Sequence, residues 1–118
     1  MTADRPDEQL LIEAGQLTLV SANRATGEPR EDVVKFVYED GIVYLLARAD
    51  AGWYANIQKD RGVVLRVKRR GFRGRATTIE TQPHPRLAGQ IAALFKRKYG
   101  ASALKPETEF PVAIEVQF

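Results

Sequence analysis

Arg30–Ala47, REDVVKFVYEDGIVYLLA, contains two runs of β-branched, aromatic and aliphatic residues joined by the dipeptide Asp40-Gly41. An Asp-Gly pair between two such runs is a strong signal for a two-residue β-hairpin, because both positions accept the positive φ angles of the turn. The sequence therefore predicts a strand from Arg30 to Tyr38, a tight turn, and a strand from Ile42 to Ala47.

Short runs of the same kind continue on both sides of this hairpin, and turn residues separate them. Their apolar and polar residues alternate with a period of two, which is typical of strands with one buried face. The further predicted strands are Gln16–Asn23, Val63–Lys68, Phe72–Ile79 and Phe110–Phe118. A six-stranded antiparallel barrel is predicted, because closure removes the exposed edges that a meandering sheet otherwise leaves.

Three segments have apolar residues spaced by three or four positions, as in a helix with one buried face. They are Asp7–Gly15, Trp53–Lys59 and the segment from Pro85 to Gly100. Glycine is the expected end of each helix, at Gly15, Gly62 and Gly100. The 118 residues fit one domain, residues 1–118, around one core. The predicted fold class is mainly β with flanking helices.

Cysteine is absent and His84 is the single histidine. These counts exclude disulfide scaffolds, thiol catalysis, thiolate metal sites and multi-histidine metal sites within the chain, so no metal site is predicted. No apolar run has the length of a membrane span or the flanks of a signal peptide. A cytoplasmic protein is predicted.

No catalytic constellation is recognisable among the nucleophilic and titratable residues. Ser21 and Ser102 lack the surroundings of a nucleophile elbow. His84 lies between two prolines at a helix start, where an exposed capping role is the simpler interpretation. Glu31 and Asp32 are neighbours in a predicted strand and point to opposite faces. Catalytic residues are therefore left unassigned.

The net charge of +3 favours an anionic partner without choosing among the classes of anion. Arg30, Lys35 and Arg48 stand where all three could reach one mouth of a barrel, and basic groups there would suit a phosphate. Solvated charges at strand edges are the alternative. The segment Arg66–Arg75 combines basic residues with an aromatic residue, as do proteins that bind single-stranded nucleic acids. A single aromatic residue, however, offers little surface on which bases could stack. Nucleic-acid binding is therefore less favoured.

The order of these elements and several motifs resemble the flavin-binding split-barrel superfamily, the pyridoxamine 5'-phosphate oxidase-like proteins. The closer likeness is to the deazaflavin-dependent nitroreductase branch. The motifs that carry it are SANRATGEPR (Ser21–Arg30), the strand Val33–Tyr38 with Glu39-Asp40-Gly41, VYLLA (Val43–Ala47), WYANI (Trp53–Ile57) with Asp60-Arg61, and the closing Phe110-Pro111-Val112. The resemblance covers most of the chain.

This resemblance implies a six-stranded split barrel of the FMN-binding type that forms a homodimer, with FMN or the deazaflavin coenzyme F-420 at the subunit interface. Basic and small polar residues around the second strand, the next hairpin and the following loop would hold the cofactor phosphate. Carried over by position, the cofactor-binding residues would be Arg30, Lys35, Ala47, Arg48, Ala49, Trp53, Tyr54 and Asn56. Trp53 and Tyr54 would form a wall of the site, and the Asn56 amide would anchor the loop or the cofactor.

The implied function is an oxidoreductase that transfers hydride to a small electron-poor substrate. Such chemistry belongs to the cofactor ring, so a chain without an acid/base pair can still be a redox enzyme. Arg48–Gly52 departs from the family pattern, because this loop is shorter and brings in Asp50. A carboxylate beside a phosphate is unfavourable. The alternative function is therefore a module that binds a flavin, haem or a small anion without turnover.

Overall fold

Seven strands and three helices make up the part of the chain that the computed structural model describes, residues 6–48, 50–79, 85–100 and 109–117. The helices are α1 (Pro6–Glu13), α2 (Gly52–Lys59) and α3 (Pro85–Tyr99). The strands are β1 (Leu17–Ala22), β2 (Pro29–Val34), β3 (Val37–Glu39), β4 (Ile42–Arg48), β5 (Gly62–Val67), β6 (Arg70–Thr78) and β7 (Glu109–Gln117). Paired strands run antiparallel, so the prediction of a mainly β fold with flanking helices is confirmed.

The strands form one sheet in the order β2-β1-β5-β6-β7-β4-β3. β2 and β3 are therefore at opposite edges, although only Lys35 and Phe36 separate them along the chain. So short a connection spans at most about 11 Å. The sheet has to curl until its two edges approach each other, which produces a half-barrel that encloses the core.

The predicted second strand, Arg30–Tyr38, is two strands in the structure, so the sheet has seven strands rather than six. The chain leaves the ladder at Phe36, where side chains of α3 bond its backbone. Phe36 N donates to Tyr99 Oη at 3.0 Å, and Phe36 O lies 2.8 Å from Tyr99 Oη and 3.0 Å from Lys98 Nζ. Two residues of a distant helix thus replace the strand neighbour, which the local sequence pattern does not indicate.

The predicted hairpin at Asp40-Gly41 is confirmed. Asp40 has a φ of 51° and Gly41 a φ of 83°, the left-handed values that this turn requires. β3 and β4 pair on either side of it, with Glu39 opposite Ile42. Glycine serves at the second position because it reaches positive φ without strain.

The prediction that Gly62 ends the second helix is wrong. α2 ends at Lys59, and Gly62 is the first residue of β5. Asp60 makes the break: its N–H bonds Asn56 O at 2.9 Å, and its Oδ1 accepts a bond from Gly62 N at 3.1 Å. An aspartate side chain that bonds the backbone two residues on forms a turn without needing glycine at the helix end.

Inward-facing side chains of the strands alternate with outward-facing ones and fill the space between the sheet and the helices. Leu19, Leu45 and Leu65 are fully buried members of the main core cluster. A smaller cluster lies beneath α3 and consists of Val37, Ile79, Ile91 and Phe95. Within the described ranges, no helix combines the length and the apolar character that crossing a bilayer requires.

Candidate cofactor-binding site

Arg30 lies against the start of α2. In the ladder between β1 and β2 it is opposite Ser21, a buried residue of the inner face, so the Arg30 side chain points inward. A Cβ built on Gly52, the first residue of α2, would lie 2.6 Å from Arg30 Cζ. The guanidinium therefore takes up space that a side chain at Gly52 would need.

Asp32 holds the Arg30 guanidinium in this position. Arg30 Nε donates to Asp32 Oδ2 at 2.9 Å, and Arg30 Nη2 donates to Asp32 Oδ1 at 3.2 Å. This hydrogen bond and the nearby carboxylate raise the pKa of Arg30 above its ordinary value. The nitrogen nearest to Gly52 is Nη1, which the pair with Asp32 does not use. Its N–H groups are therefore not taken up by Asp32.

The N-terminus of α2 adds a second positive end at the same place. Ala51, the N-cap residue, provides no side-chain hydrogen bond, and the first turn contains no acidic residue. The first N–H groups of a helix lack intrahelical partners and carry the positive end of the helix dipole. A guanidinium beside such a terminus suits an anion, and a phosphate in particular.

Asn56 ties α2 to the sheet. Its side chain is buried, with 1% of the residue exposed. Its Nδ2 donates to Ser21 Oγ at 3.1 Å, and its Oδ1 accepts from the Arg24 backbone N at 3.2 Å and from Arg24 Nη1 at 3.3 Å. Both ends of the amide thus have partners within the chain. Because Ser21 is opposite Arg30 in the ladder, one strand register positions the Arg30–Gly52 and Ser21–Asn56 contacts.

The two aromatic residues predicted to form a wall of the site differ in burial. Trp53 is 6% exposed and belongs to the main core cluster. Tyr54 is half-buried, and its Oη accepts a hydrogen bond from Gln58 Nε2 at 2.9 Å. Ala47, on β4, is fully buried. Of Ala47, Trp53 and Tyr54, only Tyr54 has more than a small exposed area.

The loop that leads into α2 carries its own ion pair. Arg48 Nε lies 3.3 Å from Asp50 Oδ1, and Arg48 Nη2 donates to Asp50 Oδ2 at 3.3 Å. Both side chains are exposed. Ala51 N donates to Arg48 O at 3.0 Å, so the chain turns directly from β4 into the helix. The carboxylate that the sequence predicts to oppose a phosphate is therefore paired with an arginine of the same loop.

Lys35 lies apart from Arg30. The two residues are separated by about 16 Å along an extended strand, and Lys35 Nζ is 5.4 Å from the ring centre of Tyr99. The structure therefore brings Arg30 to the start of α2, and it places Lys35 beside α3.

Three residues that the sequence singles out, Ala49, His84 and Ser102, lie outside the described residues. Among the residues that are described, no group of three or more His, Cys, Asp or Glu side chains could hold a metal ion.

Two contacts of Arg30 were not predicted from the sequence. Arg30 and Asp32 are two positions apart on a strand, so they share a face, and this spacing could have indicated their ion pair. The contact between Arg30 and Gly52 joins segments that are distant along the chain. No local pattern could have indicated it.

Comparison with known proteins agrees with this architecture. A family model described as F420H(2)-dependent quinone reductase matches residues 7–117. Among proteins of curated function, no sequence matches this chain. Solved structures do match this chain.

A candidate 5-nitroimidazole antibiotic resistance protein from Bacteroides thetaiotaomicron has a TM-score of 0.76 and 16% identity, covering 99% of this chain and 82% of its own. HutZ, the heme storage protein from Vibrio cholerae, has a TM-score of 0.75 and 16% identity, with 100% and 92% covered. A structure named F420 reductase has a TM-score of 0.68 and 15% identity, with 98% and 97% covered. At these identities the likeness shows the fold, a split barrel. Because the family model spans nearly the whole chain, this protein belongs to the F420H(2)-dependent quinone reductase family, a group of deazaflavin-dependent oxidoreductases.

Proposed function

We propose that this protein binds coenzyme F-420 and transfers hydride between it and a small electron-poor acceptor of the quinone class. Membership of the family supports both the cofactor and the acceptor class. When bound, the deazaflavin ring supplies the hydride chemistry, and the protein supplies position and hydrogen bonds. FMN, the other cofactor expected from the sequence, is the competing ligand for the same site. We assign the reaction to the cytoplasm, as the sequence predicts.

The observation that carries the proposal is the meeting of Arg30 with the N-terminus of α2. Here a guanidinium held by Asp32 and the first N–H groups of a helix offer donors to one phosphate group. Gly52 fits this role because a Cβ there would clash with the guanidinium and displace it from the helix start. We assign the cofactor phosphate to these groups.

The other residues near this point would position the site. Asn56 keeps α2 against β1 through its bond to Ser21. Tyr54 presents the exposed part of its ring on the same helix. Arg48 is the last residue of β4, directly before the loop that leads into the helix, and its pair with Asp50 leaves it less free to bond a second anion. Arg30 is therefore the residue that we expect to contribute most to affinity.

We also propose that the protein is a homodimer. β2 is an edge strand, and its Val33 is 64% exposed on the face opposite Arg30. An exposed valine on an edge strand is a feature that association with a second copy would cover. A partner at this edge would also shield the nearby cofactor. Val33→Ser should shift the protein toward monomer in sedimentation velocity, and an unchanged distribution would locate any dimer contact elsewhere.

Titration with F-420 and with FMN tests the cofactor assignment. Arg30→Gln should weaken binding by about tenfold or more, the loss expected for a charge-assisted hydrogen bond. Arg97→Gln is the matched control, because Arg97 is exposed on α3 and carries the same charge. Equal affinities of the Arg30 and Arg97 variants, or no binding of either cofactor by the wild type, would contradict the assignment.

A ligand-binding module without turnover is the second candidate. The Arg48–Asp50 ion pair favours this second candidate, because the Asp50 carboxylate already bonds an arginine that could otherwise bond the cofactor phosphate. The fold alone is compatible, since HutZ, named a heme storage protein, shares it. The two functions differ in one measurement: reduced F-420 should be oxidised by menadione in the presence of an enzyme, whereas a binding module should hold the cofactor and leave its reduced state unchanged.

A further inference from the structure

A groove of about 400 Å³ crosses the outward face of the sheet, over β1, β5, β6 and β7. One row of its lining crosses four neighbouring strands, because the register pairs each residue of the row with the next one. The row consists of Val20, Val64, Arg73 and Gln117. Arg30 points to the opposite face of the same sheet. The groove is therefore a different place from the proposed phosphate site and does not depend on it.

Arg73 and Arg75 are the charged residues that line this groove. Three other arginines have carboxylate partners: Arg30 with Asp32, Arg48 with Asp50 and Arg66 with Glu31. The ion pairs found within the described ranges include neither Arg73 nor Arg75. Glu115 is opposite Arg75 on β7, yet the two do not form an ion pair. Among the described residues, the two arginines of the groove thus have no ion-pair partner.

The groove has an apolar floor beside these charges. Val20 is half-buried, Ala22 is half-buried, and Val64 is 36% exposed. Arg73 and Arg75 are two positions apart on β6, so their Cα atoms are about 7 Å apart on one face. A guanidinium bonds carboxylates in a bidentate manner and stacks on aromatic rings. The volume lies in the range of small-molecule pockets.

We propose that this groove is a binding site for a planar aromatic carboxylate, whose ring lies on Val20 and Val64 and whose anionic groups bond Arg73 and Arg75. The Gln117 amide, at the end of the same row, offers a neutral donor and acceptor. A ligand with two carboxylates at opposite ends of a fused ring offers one anionic group to each of the two guanidinium groups.

The test is isothermal titration calorimetry with naphthalene-2,6-dicarboxylate, which has neither a phosphate nor a redox-active group. We expect one molecule bound per chain. The double variant Arg73→Gln/Arg75→Gln should bind at least about tenfold more weakly, as expected for the loss of a charge-assisted hydrogen bond. Circular dichroism checks that this variant keeps its fold. Arg30→Gln should bind the probe as the wild type does, because its side chain lies on the other face.

The double variant Arg69→Gln/Arg97→Gln is the control for charge, since it removes two exposed cations outside the groove. It should change probe affinity by no more than about twofold, as exposed charges are screened by water and salt. If both double variants bound the probe equally weakly, the effect would be a general attraction between a positively charged protein and an anionic probe. That result would overturn the proposal. No measurable binding of the probe to the wild type would overturn it too.

Two further outcomes would assign the groove to another occupant and overturn the proposal in the same way. In the first, a dimer seen by sedimentation velocity becomes monomeric in Arg73→Gln/Arg75→Gln, and the probe fails to bind the wild type. The groove would then be covered by a second copy. In the second, a single-stranded oligonucleotide displaces the probe with a steep dependence on salt, which indicates nucleic acid.

Discussion

The Arg30 guanidinium takes up the space where a Cβ of residue 52 would stand, so β2 and α2 meet at the one residue of the helix that has no side chain. A helix start usually bonds a polar side chain at its N-cap, but Ala51 provides none here. The positive end of the helix and a fixed guanidinium are therefore left together. This arrangement becomes favourable once an anion bonds to both of them.

Gly52→Ala should weaken cofactor binding without lowering the stability of the fold. The added methyl group has to displace the flexible end of Arg30, while the helix backbone accepts alanine readily. We expect F-420 affinity to fall by about tenfold, as in the loss of a charge-assisted hydrogen bond, with no decrease in the thermal unfolding midpoint. Fluorescence titration and circular dichroism measure the two quantities.

Gly89→Ala is the control for this change. Gly89 lies on α3, and a Cβ built there would have no atom within 4 Å. It should raise the free energy of unfolding by up to about 1 kcal/mol and leave cofactor binding unchanged. A Gly52→Ala variant with wild-type affinity would remove Arg30 from the phosphate site.

Asp50→Asn should strengthen cofactor binding. The change removes a carboxylate from the loop before α2 and releases Arg48 from its ion pair. Because both groups are exposed, we expect a gain of only about threefold, which declines as salt is added. Titration at low and high ionic strength measures it, with Glu39→Gln on β3 as the charge-matched control. Weaker binding by Asp50→Asn would mean that the ion pair positions Arg48 for the ligand.

Asn56→Ala should lower stability. The sequence favours a role of this amide in anchoring the loop or the cofactor, and the structure shows that its atoms bond Ser21 and Arg24. Removing a buried amide leaves these partners without their bonds, at a cost of about 1–3 kcal/mol. Urea unfolding of Asn56→Ala, Ser21→Ala and the double variant should give non-additive losses. A loss of cofactor affinity without a loss of stability would instead assign the amide to the ligand.

Gly74→Ala should destabilise the sheet. A Cβ built on Gly74 would lie 2.5 Å from Ile114 Cγ2 and 3.2 Å from the Glu115 carbonyl oxygen, so β6 and β7 would have to move apart. We expect a loss of about 1–3 kcal/mol from overpacking. Gly71→Ala on the same strand is the control, because its Cβ would make an ordinary contact of 3.8 Å with Val64 Cγ1. Similar unfolding midpoints for the two variants would contradict the close approach at Gly74.

Tyr99→Phe should lower stability at neutral pH and less so in alkali. The Tyr99 hydroxyl accepts a hydrogen bond from Phe36 N and donates its one proton to Phe36 O or Gly15 O, and losing these bonds should cost about 1–3 kcal/mol. Burial raises the pKa of Tyr99 above its ordinary value of 10.0. The stabilisation is therefore complete below pH 10 and is lost as pH rises through the raised pKa.

Urea unfolding of the wild type and Tyr99→Phe at neutral pH and above pH 10 measures this difference. Burial lowers the pKa of Lys98. Lys98 is present in both proteins, so its contribution to the pH dependence of stability cancels in the comparison. A difference between the two proteins that stays constant into alkali would contradict the role of the hydroxyl.

Much of the fold could be predicted because its signals are local. The turn at Asp40-Gly41 depends on the φ angles of two adjacent residues, and the alternation in β5 and β6 depends on which face of each strand is buried. The strand that was predicted as continuous shows the limit of this reasoning. Its residues favour a strand throughout, and the break at Phe36 is made by hydrogen bonds from Lys98 and Tyr99, which lie far away along the chain.

The candidate site divides in the same way. Sequence and resemblance alone singled out Arg30, Arg48 and the segment Trp53–Ile57, since these residues carry charge or aromatic character in a recognisable order. Only the tertiary structure decided that Arg30 reaches Gly52 while Lys35 lies beside Tyr99. The curling of the sheet is the physical reason, because it brings an edge strand to the start of a helix. Local sequence patterns carry no information on contacts between segments that are distant along the chain.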